Sequence, residues 1–110
     1  MQIQINTDNT IGGREPMAAE TTEAVAHALR HLSDHITRVE VHIEDENGPK
    51  GGQNDIRCML EARLKNREPI AVTDHADSVQ SAVHGAAKKL AALIEHTLGR
   101  ADALRRAERT

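Results

Sequence analysis

The residues best placed to do chemistry are a series of histidines and a cluster of cations. His27, His31 and His35 recur every four residues, with Arg30 and Asp34 between them. On a helix that spacing holds side chains on one face, and neutral imidazoles suit zinc or nickel. A straight helix rises about 1.5 Å per residue, so the outer two histidines would stand about 12 Å apart, too far for one ion. No fourth ligand accompanies them. The series therefore reads as a solvated, partly protonatable face rather than a metal site. Residues 84–110 hold six cations, Lys88, Lys89, Arg100, Arg105, Arg106 and Arg109, against Glu95, Asp102 and Glu108, although the whole chain carries a net charge of -3. Such a patch can meet phosphates despite the overall sign, because screening confines each contact to roughly 8–10 Å. The plainer reading is that Lys88 and Lys89 complement the C-terminal half of a helix and keep it soluble.

Other reactive types are placed unfavourably. Cys58 alternates with Ile56 and Leu60, which turns it inward as a small apolar residue rather than a nucleophile. Glu44-Asp45-Glu46 lacks the alternating oxygen ligands of a calcium loop. Gly12-Gly13-Arg14 and Gly51-Gly52 lack the Lys-Ser/Thr of a phosphate-binding loop. The reading is a protein that is not an enzyme and takes no cofactor.

The elements that must carry these groups follow from periodicity. Met1–Asn6 alternates apolar and polar as a half-buried strand does, and the turn-rich stretch to Arg14 ends it. Pro16 suits a first helical turn, and Val25, Ala28, Leu29 and Leu32 mark a helix over Met17–His35. Alternation returns over 38–44, and again from Ile56 to Lys65, across a glycine-rich hairpin loop at 45–54. A turn at 66–69 leads to a short strand over 70–73. Asp77 or Ser78 caps a second helix, which Gly99 is expected to end. The order β-α-β-β-β-α predicts an α+β, two-layer sandwich: a four-stranded mixed sheet with two helices on one face. The open face would then carry Arg38, Arg57, Arg63 and Lys65 among Glu40, Glu44 and Glu61, opposite signs that can pair across strands. Residues 1–99 form the domain and 100–110 a polar C-terminal tail.

Composition bounds the function. With 110 residues there is room for one domain. Phe, Tyr and Trp are all absent, which excludes binders that stack bases or quaternary amines on aromatic rings. One cysteine excludes an internal disulfide and a multi-thiolate zinc site. There is no apolar run long enough to span a bilayer and no signal-like start, so the expectation is a cytoplasmic protein without membrane partners.

Three phrases in this order, Met1-Gln-Ile-Gln-Ile5, Ile36-Thr-Arg-Val-Glu-Val-His42 and Ala86-Ala-Lys-Lys-Leu90, resemble the ribosome hibernation promoting factor and ribosome-associated inhibitor family, also called the sigma-54 modulation family. The likeness covers about residues 1–98 and is nearest to a short, divergent form. It implies a fold like the double-stranded-RNA-binding domain and binding to the small ribosomal subunit and its RNA, which inhibits translation in idle cells under stress. The family's basic helix positions fall here on His27, Arg30 and His31, on Lys88 and Lys89, and on Arg100. Two departures stand out: Asp77-Ser78-Val79-Gln80 lacks the family's tyrosine, and the lysines and arginines are thinned. The expectation is a cationic ridge along paired helices that reads RNA by backbone and shape. With five or six phosphate contacts the salt slope would be about -4 to -5. The alternative is a module of the same fold that has lost RNA binding and pairs weakly with itself, or with a protein, through an exposed strand edge.

Overall fold

The computed structural model describes residues 1–7, 14–46 and 56–109, with side chains for all of these but 14, 15 and 101–109. The elements are β1 (Gln2–Thr7), α1 (Arg14–Leu29), a 3₁₀ segment (Arg30–His35), β2 (Ile36–Asp45), β3 (Ile56–Leu64), β4 (Ile70–Ala76) and α2 (Val79–Arg109). The sheet order is β1-β2-β3-β4. β1 runs parallel to β2, joined through α1, and the other two pairings are antiparallel. This is the α+β arrangement expected from the alternation of the strands. The turn before α1 and the loop at 47–55 lie outside the described residues.

Alternation fixes which face is inside. Val39, Val41 and Ile43 of β2 stand opposite Ala62, Leu60 and Cys58 of β3, and all six are buried. Val25 and Leu29 of α1 and Val83, Leu90 and Ile94 of α2 close over them. The core is wholly aliphatic, with Thr21 the one buried polar residue among those described. Without rings, density comes from branched side chains and from alanines that bring helix backbones near the sheet, as Ala82, Ala86 and Ala87 do on α2.

Four local features depart from the sequence reading. The first helix does not run as α-helix to His35; it tightens into 3₁₀ geometry at Arg30. With three residues per turn, Leu32 lies directly above Leu29, and both enter the core. The second departure is β2, which begins two residues early at Ile36, with a register shift between Ile36 and Arg38. Thr37 is the extra residue there, and its hydroxyl donates to the Arg63 carbonyl at 3.0 Å. Third, Gly99 does not end α2, which continues to Arg109. A helical glycine costs about 1 kcal/mol relative to alanine, and the Ala- and Arg-rich sequence that follows has the propensity to offset it. β4 also extends to Ala76, three residues further than its apolar run.

At the other end of α2 the reading holds. Ser78 caps the helix, its hydroxyl accepting from the Ser81 amide at 3.2 Å. Between β3 and β4 the chain reverses at Asn66, whose φ of 60° is the left-handed conformation that asparagine tolerates best after glycine.

Candidate nucleic-acid interface

α1 and α2 lie side by side on the sheet, and a groove of about 1130 Å³ separates their outer faces. Its floor is apolar and small: Met17, Ala24 and Ala28 from α1, with Val79, Val83 and Ala91 from α2. Its rim is polar. Glu20, Glu23 and His27 face it from α1, and His84, Lys88 and Glu95 from α2. Helical periodicity places these groups together: Glu23 precedes His27 by four residues, and Lys88 follows His84 by four and precedes Glu95 by seven.

The six residues expected to bind RNA are thus distributed rather than gathered. His27 and Lys88 share the groove. His31 stands in the 3₁₀ segment just past α1, where its Nε2 lies 2.6 Å from Glu95 Oε1 on α2, both side chains more than half exposed. Arg30 is exposed at the first position of the 3₁₀ segment, and Arg100 is exposed twelve residues past Lys88, about 18 Å along the axis. Lys89 is turned away from the groove by the 100° step between helix neighbours. Its Nζ donates to Asp74 Oδ1 at 3.0 Å and to the Thr73 carbonyl at 3.1 Å, which ties α2 to β4. That contact holds the Asp74 carboxyl below its ordinary value, with help from a backbone hydrogen bond at His75.

Because the 3₁₀ segment interrupts the four-residue repeat, His31 and His35 do not continue the stripe that His27 starts on α1. Among the described residues no three His, Cys, Asp or Glu side chains come together as metal ligands. The helix surface is mixed in sign: three carboxylates, two imidazoles and one ammonium line the groove. Glu20, Glu23, His84 and the pairing of Glu95 with His31 were not foreseen from the sequence, which weighs Glu95 against the cations of its own helix but does not show which groups of the two helices meet.

The opposite face of the sheet is a ladder of compensated charge. Arg38 pairs with Glu40 at 2.7 Å and also donates to Gln4, while Arg57 pairs with Glu44 at 3.2 Å. Arg63 lies 3.9 Å from Glu61. Across β2 and β3, Arg38 is opposite Arg63 and Glu40 opposite Glu61, so the Arg38–Glu40 and Arg63–Glu61 pairs form along a strand and relieve like-charge neighbours across it, while Arg57–Glu44 bridges the two strands. Cys58 is buried in the core, and burial, with the Asp74 carboxylate adding to it, pushes its thiol up to about 12. It is a packing residue.

No family model and no curated protein matches the chain by sequence. Solved structures do match it. The N-terminal domain of Protein Y from Thermus thermophilus superposes with a TM-score of 0.69 at 13% identity, over 88% of this chain and 99% of that one. A ribosomal subunit interface protein from Coxiella burnetii superposes at 0.63 with 18% identity, over 90% and 99%. The chain shares their fold. The likeness inferred from three short phrases is therefore met by the backbone as a whole, at an identity low enough that each binding side chain has to be argued on its own.

Proposed function

We propose that the protein is a non-catalytic, ribosome-associated factor that acts in the cytoplasm and docks its helix side on RNA of the small subunit, lowering translation in resting or stressed cells. The observation that carries this reading is the match, over nine-tenths of the chain, to a structure described as a ribosomal subunit interface protein. The chemistry is compatible with it. Arg30, Lys88 and Arg100 are exposed on the helix side and make no ion pair among the described residues, so their charge is available to phosphate. Lys89 has Asp74 as a competing partner, and His31 has Glu95. The working contacts would be Arg30, Lys88 and Arg100, with His27 beside them, fitted by shape more than by charge density.

Co-sedimentation with purified subunits at two salt concentrations tests the reading. Binding that weakens steeply with salt is expected, and Lys88→Glu should flatten that dependence by about one unit of slope or more. Lys89→Glu should have the smaller effect on binding. A protein that stays in the supernatant at low salt overturns the proposal.

A second reading is favoured by the groove itself. Three glutamates around a floor of alanine, valine and methionine fit a cationic, amphipathic protein segment better than they fit a polyanion. Partner capture that survives complete RNA digestion and is lost in Glu23→Lys would favour it.

A further inference from the structure

The two outer strands of the sheet are treated differently. β4 is guarded: Pro69 precedes it, Asp74 places a charge on it, His75 pairs with Glu46 at 2.8 Å, and Lys89 reaches from α2 to its Thr73 carbonyl. These are the usual devices that keep a free edge from pairing with another chain. β1 has none of them. Gln2-Ile3-Gln4-Ile5-Asn6-Thr7 contains no charge and no proline, and its register with β2 runs without a bulge. Its backbone pairs with β2 alone among the described residues. Ile3 and Ile5 point to the helix side and are only half buried, whereas Val39 and Val41, their neighbours on β2, are fully buried. Among the described residues the sheet is therefore incomplete at β1 both in hydrogen bonds and in apolar cover.

We propose that β1 is a self-association edge, where two copies of the chain pair antiparallel through their first strands to make one eight-stranded sheet. A second copy fits because this strand is complementary to itself. With Gln4 opposite Gln4 of the second copy, Ile3 falls opposite Ile5 and Gln2 opposite Asn6. Both isoleucine rows then stay on the helix side, and no charge meets a like charge. Six residues make a small interface, so the association is weak and depends on concentration. It does not rest on the ribosome reading, and its test contains no ribosome.

Sedimentation equilibrium of the full chain from about 1 µM to about 1 mM spans the range expected of so small a contact. The wild-type mass should rise from 12.0 kDa toward twice that value. Gln4→Glu sets two carboxylates against each other at the twofold axis, while within each copy Arg38, which already donates to Gln4, holds the new carboxylate. The dissociation constant should rise about fivefold or more, with the circular dichroism spectrum unchanged. Gln4→Lys should likewise weaken self-association, and an equimolar mixture of the two variants should restore it. A wild-type chain that remains at 12.0 kDa throughout, as it would if the edge served a different protein, overturns the proposal. So does a Gln4→Glu variant that associates as strongly as wild type.

Discussion

At the β4 end of the sheet, α2 lies close against the strands. Gly85 leaves room there for the Asp74 carboxylate, which a Cβ at that position would overlap, and one turn later Lys89 grips the same carboxylate. At the β1 end, α1 leans on α2 more than on the strand beneath it, and the isoleucines of β1 stay half open. One flank is thus anchored by packing and by a polar clamp, and the other by a single strand pairing. The lesson is that the two helices do different work in one layer: α2 builds the core, whereas α1 closes it and leaves an edge.

Substitutions on the two flanks test that contrast most strongly. Leu90→Ala, at a fully buried site on α2, should cost about 2–5 kcal/mol, and Ile5→Ala, on half-buried β1, about 1–2 kcal/mol. Urea denaturation of both gives the comparison, and equal losses would mean that the β1 flank is as tightly built as the other. The two helical glycines sharpen it on a smaller scale. A Cβ at Gly99 meets open space, so Gly99→Ala should stabilise by up to about 1 kcal/mol, seen as a raised Tm. Gly85→Ala gains the same helix propensity but must push Asp74 aside and loosen Lys89, so little or none of the gain should survive.

A small effect also belongs to the clamp. Lys89→Ala should cost less than about 1 kcal/mol at neutral pH, since Lys89 is more than half exposed. Its signature lies in the pH dependence. The Asp74 carboxyl is depressed in the folded state, so its contribution is fully present above the unfolded value and is lost as pH falls through the folded one. Wild type and Lys89→Ala should therefore differ above about pH 4 and converge in stronger acid. A constant offset down to the lowest pH would assign the effect to lost packing of the lysine stem.

Much of the fold was legible because its strands alternate strictly: a residue that is apolar at every second position in β2 and β3 has one face it can bury. The same rule fell short on β4, where Asp74 and His75 interrupt the apolar pattern while the Lys89 contact and the β3 pairing hold the strand in register. It also could not show that the helix tightens at Arg30, because a spacing of three between Leu29 and Leu32 satisfies either helical geometry. The candidate site was harder to read. Its cations are visible in the sequence, but which are engaged depends on partners 64 and 15 residues away, Glu95 for His31 and Asp74 for Lys89.

The uninterrupted α2 also governs how the molecule will behave in a column or a tumbling experiment. Extents of 59 × 24 × 19 Å describe a body more than twice as long as it is wide. Friction rises with such elongation, so one copy should elute early on gel filtration and tumble anisotropically, imitating a heavier particle. Apparent size read against spherical standards will overstate the stoichiometry, and only measurements of mass itself will count subunits.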